Sequence, residues 1–360
     1  MSLLTTNYLT PTGREEAWRF TPLKRLKGLH DATAVIGDRQ SLQTIAQLPA
    51  GVSFTHENLD PLAPSDDLII GRIRAASSAV SHLSIASKVE VGQPIFLGRT
   101  SGALDTAELS RVRISLGAHA VATVVLENTG DTVLAEDLEI SLAPGSNLKF
   151  ITVQEFDSKS VYAARHHAVI DRDAQFQSIT ITLGGDVVRI LPTVEFVAPG
   201  GSAELFGVYF ATTGQFFEHR IHIDHLVPHA KSRVNFKGAL AGQDAHTVWI
   251  GDVFIGSNAE GTDTYELNRN LLLTDGARAD SVPNLEIETG QIVGAGHAST
   301  TGRFDDEQLF YLMSRGISLA DARRLVIRGF FHEIITIVGI DSIEDRLMNR
   351  IDSELEKVGV

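Results

Sequence analysis

Small-residue corners recur along the middle of this 360-residue chain at nearly constant spacing. They are Leu116-Gly117-Ala118, Pro144-Gly145-Ser146, Arg172-Asp173-Ala174, Gly201-Ser202-Ala203, Pro228-His229-Ala230, Ser257-Asn258-Ala259 and Asp275-Gly276-Ala277. Their last residues, 118, 146, 174, 203, 230, 259 and 277, lie 28, 28, 29, 27, 29 and 18 apart. A period near 28 leaves room for two strands and two corners, the unit of a stacked coil that buries its apolar face on its neighbours. A β-sandwich also turns repeatedly, but about every 8–12 residues. The final interval of 18 reads as the repeat degenerating or ending.

Between the corners lie short strand-like runs. Ala120-Val121-Ala122-Thr123-Val124-Val125-Leu126 is one, and Leu138-Glu139-Ile140-Ser141-Leu142 alternates cleanly. Ser178-Ile179-Thr180-Ile181-Thr182-Leu183 and Arg220-Ile221-His222-Ile223-Asp224 repeat the pattern. No long helical pattern interrupts them, which excludes a doubly wound α/β fold. The expected architecture is mainly β, a right-handed parallel β-helix (β-solenoid) core over 83–303. An N-terminal mixed or helical region, 1–82, precedes it, and a C-terminal helical domain, 304–360, comes after it.

The flanks carry helix signals. Thr12-Gly13-Arg14-Glu15 fits a capping box, and Pro22 limits continuation of the helix. Residues 59–66, rich in Pro and Asp, read as a loop. Asp305-Asp306-Glu307-Gln308 starts a helix that Gly316 ends, with Leu309, Leu312 and Met313 on one face. Ser318-Leu319-Ala320-Asp321 resembles a second capping box, with Ala322, Leu325, Val326, Gly329 and Phe330 along one face. Asp341-Ser342 starts a third helix carrying Ile343, Leu347, Ile351 and Leu355 at steps of four.

Composition narrows the chemistry. The chain has no cysteine, so disulfides, thiolate nucleophiles and metal sites built from its own thiolates are excluded. Its net charge of −14 argues against nucleic acid or an anionic membrane as partner. No apolar run approaches the ~18 residues of a spanning helix. Met1-Ser2-Leu3-Leu4-Thr5-Thr6 lacks the basic start and apolar stretch of a secretory signal, so a cytoplasmic protein is expected. There is no phosphate-binding loop, no G-x-S-x-G elbow and no H-E-x-x-H motif. Intrinsic ATP hydrolysis is therefore not expected.

The histidines are the remaining candidates. In strand geometry, His219, Ile221, Ile223 and His225 share one face while Arg220, His222 and Asp224 share the other. His222 beside Asp224 suits a metal ligand with its carboxylate partner, or a polar ladder on a sheet surface or subunit contact. His166-His167 place neighbouring rings on opposite faces and do not easily share one ion. Asp305-Asp306-Glu307 would suit a glycosidase-like acid cluster, but acids at a helix start have a capping role. Arg323, Arg324 and Arg328 read as a solvated helix face or a partner contact. His297 stands in Gly294-Ala295-Gly296-His297-Ala298-Ser299, where small neighbours leave an imidazole accessible. Imidazole suits iron or zinc and can relay protons, although the bare pattern favours a structural histidine.

Several strings resemble one family. Asn268-Arg269-Asn270-Leu271-Leu272-Leu273, Pro283-Asn284-Leu285-Glu286-Ile287, Gly296-His297-Ala298-Ser299 and Asp306-Glu307-Gln308-Leu309-Phe310-Tyr311-Leu312-Met313-Ser314-Arg315-Gly316 are similar to the SufB/SufD family. Arg14-Glu15-Glu16-Ala17-Trp18-Arg19-Phe20-Thr21-Pro22-Leu23, together with the length, favours its SufD branch. The resemblance implies a β-helix with helical flanks and a non-catalytic scaffold role in iron–sulfur cluster assembly. It implies pairing with a SufB-like paralogue through the β-helix and docking of a SufC-like ATPase on the C-terminal helices, residues 305 to about 338. Gln308, Phe310, Arg315, Arg323, Arg324 and Arg328 are the docking candidates. His297 matches a family histidine implicated in cluster assembly. Some relatives carry a cysteine just before it, where this chain has Gly294-Ala295-Gly296. No cofactor held tightly by the chain alone is expected; a transient iron or iron–sulfur cluster at the SufB interface is. A homodimer of the isolated chain is a further expectation, because open strand edges favour pairing. A β-helical carbohydrate-active enzyme and a purely structural homo-oligomer are the alternatives.

Overall fold

The structure, a computed structural model, describes residues 9–37, 42–58, 65, 67–76 and 79–359. The leader reading at residues 1–6 and the loop reading at 59–66, Ser65 apart, fall outside them. The first nine strands are β1 (Gln43–Thr44), β2 (Val52–Asn58), β3 (Ala79–Ile85), β4 (Ile95–Gly102), β5 (Glu108–Leu116), β6 (Val121–Asp131), β7 (Val133–Leu142), β8 (Asn147–Phe156) and β9 (Val161–Ile170). The next are β10 (Gln175–Thr182), β11 (Val187–Phe196), β12 (Ser202–Ala211), β13 (Phe216–His225), β14 (Lys231–Leu240), β15 (His246–Ile255), β16 (Asp263–Leu272), β17 (Arg278–Ile287) and β18 (Gly294–Gly302). Even-numbered strands from β4 to β18 form one sheet, with β1 at its edge. Odd-numbered strands from β3 to β17 form the other, with β2 at its edge. Successive strands alternate between the two sheets and pair in parallel with the strand one coil away, giving a β-solenoid of about 8 turns.

Side chains alternate between the space enclosed by the sheets and the outside, so equivalent positions stack from coil to coil. Ile85, Leu116, Leu142, Ile170 and Phe196 form one such buried column. It continues through His225, whose ring stacks on Phe196 at 4.9 Å, to Ile255 and then Ile287 at the open end. Burying each aliphatic member contributes roughly 1.5–3 kcal/mol.

The corners hold the coils in step through backbone that only some residues tolerate. Lys88, His119, Gly145, Asp173, Gly200, His229 and Gly261 occupy the same corner in successive coils, all in the left-handed region (φ 54° to 85°). From His119 onward, a residue with a side chain alternates with glycine. A Cβ on Gly145 would lie 2.4 Å from Nδ1 of His119, one on Gly200 2.0 Å from Oδ1 of Asp173, and one on Gly261 2.3 Å from Nδ1 of His229. Each side chain thus lies where the next corner would place its own Cβ. The amides of His119, Gly145, Asp173, His229 and Gly261 donate to carbonyls of the following corner at 2.7–3.2 Å.

The corner at Asp275-Gly276-Ala277 belongs to the other series, between β16 and β17, which corrects the reading of the 18-residue interval. The true successor lies at 288–293, and β18 begins directly after it. The repeat lengthens instead of ending: Val121 pairs with Asn147, 26 residues on, whereas Lys231 pairs with Asp263, 32 residues on.

The N-terminal segment packs on the outside of the odd-numbered sheet. Thr12 donates through both its amide and its hydroxyl to the Glu15 carboxylate at 2.9 Å, only one half of the expected capping box, and the pair leads into a single 3-10 turn, Glu16–Trp18. Trp18 lies under the Arg189 guanidinium at 4.1 Å, and Thr21 donates to Glu218 at 2.6 Å. Helix α1 (Leu68–Ala76), which the sequence did not announce, buries Leu68, Ile69, Ile70 and Ile73 beside them. The boundary expected at 82/83 falls inside β3.

Helices α2 (Asp306–Ser314), α3 (Leu319–Ile335) and α4 (Asp341–Lys357) form the C-terminal unit. Asp305 caps α2 and Ser318 caps α3 through side-chain oxygens, as expected. Helix α4 has no side-chain cap, and Asp341 lies in its first turn instead. Helices α3 and α4 cover outward-facing Val125, Ile151, Val153, Ile179, Ile181 and Val208. The buried face of α3 is Ala322, Ile327, Phe331, Ile334 and Ile335, a rotation away from the expected one, and Leu325 is exposed. Apolar residues surround that helix, so periodicity alone could not choose. No helix among the described residues is long and apolar enough to cross a membrane.

Candidate functional site

The two ends of the solenoid differ. At the N-terminal end, the sheets finish on β1 and β2, which pair antiparallel to β4 and β3. At the other end, β17 pairs only with β15 and β18 only with β16, so both sheets finish on open parallel edges. Strand β18 contains no charged residue, and no proline interrupts it. Edges are normally blunted by such residues. Ile287, Val293 and Tyr265 are exposed nearby.

His297 lies on β18, exposed, in register with Glu266 of β16. The parity of β16 and β18 assigns Glu266, Asn268 and Asn270 with His297, Ser299 and Thr301 to the face that closes the solenoid interior. Asn270 donates to Thr301 across the last two coils at 3.4 Å. Beneath them, Tyr209 donates to Asn270 at 2.6 Å and receives from Asn268 at 2.9 Å; burial pushes its phenol well up, so it keeps its proton. Glu266 is 1% exposed and neither of its carboxyl oxygens has a hydrogen-bond partner. Burial, with the nearby Asp252 charge, pushes its carboxyl up to about 8, and His222 opposes this. Sequence reasoning missed Glu266. Its only signal is the polar run of alternate residues Glu266, Asn268 and Asn270, whose meaning depends on knowing which face turns inward.

The other histidines divide as the alternation requires. His219 and His225 are buried inside, and His222 and Asp224 face out. His222 bonds Asp224 at 2.9 Å, and that carboxylate raises the imidazole's affinity for its proton. This is the geometry of a polar ladder, continued by Asp252 and Asn284 in register. No group of three or more His, Asp or Glu side chains among the described residues converges to hold a metal ion. His166 is inside and His167 outside, as expected.

The helical candidates separate. Gln308, Phe310 and Arg315 are exposed on and just after α2, Phe310 at 73%, with Tyr311 and Met313 also open. Only Leu309 of the expected α2 face is buried. Arg315 lies over the Tyr311 ring at 5.2 Å. Arg323 lies over Phe304, Arg324 pairs with Glu356 and Arg328 with Asp352. The arginines of α3 therefore do not form a simple solvated face; acids of α4 engage two of them.

A family profile described as SUF system FeS cluster assembly, SufBD core domain, matches residues 98–330. An iron–sulfur cluster assembly SufBD family protein of Mycobacterium tuberculosis is 44% identical over 356 residues, covering 96% of this chain and 89% of its own. The Escherichia coli iron–sulfur cluster assembly protein SufD is 22% identical, covering 96% and 89%. A chloroplastic protein of Arabidopsis thaliana is 25% identical over 78% of this chain and 61% of its own. The solenoid, its helical flanks and these matches agree: the chain belongs to the SufBD family of iron–sulfur cluster assembly proteins.

Proposed function

We propose that this chain is a non-catalytic scaffold subunit that pairs with a SufB-like paralogue along the β17 and β18 edges and docks a SufC-like ATPase on α2. The open end of the solenoid carries this reading. One end finishes on antiparallel β1 and β2, while the other offers two parallel edges, one of them bearing an accessible imidazole. A second solenoid adding its own strands would satisfy the free backbone groups and bury Ile287 and Val293. Exposed Gln308, Phe310, Tyr311, Met313 and Arg315 supply a separate apolar and basic contact for the ATPase. Lacking thiolates, the chain contributes imidazole and shape, and its paralogue contributes the sulfur ligands of a transient cluster. The isolated chain would use the same edges to pair with itself.

Co-expression with the paralogue and the ATPase tests this. His297→Ala is expected to leave the assembly intact by size-exclusion chromatography while lowering the cluster yield of the reconstituted complex. Wild-type cluster yield from that variant would overturn the role of His297, and failure of the wild-type chains to co-purify would overturn the scaffold reading.

A further inference from the structure

Strand β2 ends the odd-numbered sheet, and no strand among the described residues pairs with its other side. The Ala86 amide donates to the Gly51 carbonyl at 2.8 Å, one step beyond the register in which Val52 lies opposite Ile85. In antiparallel pairing, opposed residues exchange backbone bonds at every second position. Ser53, Thr55 and Glu57 therefore bond to β3, whereas the amides and carbonyls of Phe54 and His56 point outward from the sheet edge. The Val52 amide already turns that way, to the Pro49 carbonyl at 3.2 Å. The companion edge strand β1 is blunted by its length of two residues. Strand β2 has seven residues in unbroken register and contains no lysine or proline. Its one carboxylate, Glu57, is held by Thr55 at 2.6 Å and His82 at 3.2 Å. Val52, Phe54 and His56 share the inner face with Leu83 and Ile85, and the Phe54 and His56 rings meet edge-on at 5.2 Å.

We infer that β2 is a second interaction surface of this chain, and that its occupant is β2 of another copy, added antiparallel across a two-fold axis at Thr55. In that register the strand is its own complement. All seven residues overlap, and Phe54 of each copy exchanges both backbone bonds with His56 of the other. On the inner face each phenyl ring then meets an imidazole across the axis. On the outer face Thr55 meets Thr55 and Ser53 meets Glu57, so no like charges are opposed. An axis at Phe54 or His56 would shorten the overlap. Such an isologous contact closes at two copies. It lies at the opposite end of the stack from β17 and β18, so it leaves those edges free and joins two assemblies end to end.

The absence of cysteine makes the test direct. Across the axis the two Thr55 Cα atoms form a non-hydrogen-bonded pair about 4.5 Å apart, within disulfide reach, while the two Ser53 Cα atoms lie on the order of 14 Å apart. Full-length Thr55→Cys and Ser53→Cys are oxidised with diamide and followed on non-reducing gels, each with and without His56→Pro. That proline removes an outward amide and the imidazole contact with Ser81 but no backbone bond to β3, and near-ultraviolet circular dichroism checks the fold. Thr55→Cys is expected to form covalent dimer at least tenfold faster than Ser53→Cys, and His56→Pro to remove that advantage. Equal rates from the two cysteines, or a dimer in sedimentation velocity that Thr55→Cys does not cross-link, would overturn the proposal. Should His56→Pro fail to fold, the ratio of the two cysteine rates decides alone.

Discussion

His166, His219 and His225 keep neutral rings inside the solenoid, where burial pushes their imidazoles down to about 4, about 3 and about 4. His219 lies against Tyr209 and Phe236 and meets Thr182 at 3.1 Å, so an added charge there has no counter-ion. In the unfolded chain these rings take up protons near pH 6.5, while the folded chain resists until far lower. Their contribution to stability is therefore complete above about pH 6.5 and declines as pH falls toward 4, with each pH unit of displacement corresponding to about 1.4 kcal/mol. Thermal melting is expected to drop steeply across that window, and His219→Phe should flatten the slope. A melting temperature unchanged between pH 7 and pH 4.5 would contradict this. The alternation at 219–225 was readable in the sequence because it needs only the two-residue period. Which face turned inward was not: in β10, Ser178, Thr180 and Thr182 are inside while Ile179 and Ile181 lie outside beneath the C-terminal helices. That is also why Glu266 escaped notice.

Corners and helices answer to neighbours that are distant in the chain. The 28-residue rhythm exposed the coils, yet the corner residues vary among Lys, His, Asp and Gly because the requirement is a left-handed backbone with alternate side-chain vacancy. A pattern defined by neighbours one coil away has no local sequence signature. Gly200→Ala meets both the strained φ of 85° and Oδ1 of Asp173, and is expected to cost about 1–3 kcal/mol by urea denaturation. Asp173→Gly combined with it should recover part of the loss, because the clashing atom is gone. Two of the three C-terminal helix starts were legible from their capping side chains, but the buried face of α3 was decided by the sheet beneath it. On α2, Phe310→Ala removes an exposed ring and is expected to shift the melting temperature little while weakening ATPase capture at least tenfold. Undiminished capture would exclude α2 as the contact.

The whole molecule is a stack whose ends differ, antiparallel strands finishing one and parallel edges the other. Gly294 donates to Thr262 in the preceding coil, so the two-residue period turns the Ser299 amide away from β16; Ser299→Pro deletes that outward amide and is expected to abolish pairing with the paralogue in sedimentation experiments while the monomer stays folded. Persistence of the pair at wild-type affinity would place the interface elsewhere. The solenoid was legible because its repeat is long and its strands are short. The N-terminal segment was not, since its order comes from partners far along the chain: Thr21 reaches Glu218, 197 residues away, and Arg25 reaches Asp186, 161 residues away. Such long reach bears on biosynthesis. Trp18, Thr21 and Arg25 leave the ribosome well before their seats on and beside β11 and on β13 have been made. This segment must wait, and truncated products that stop before β13 would carry it unfastened and open to proteases.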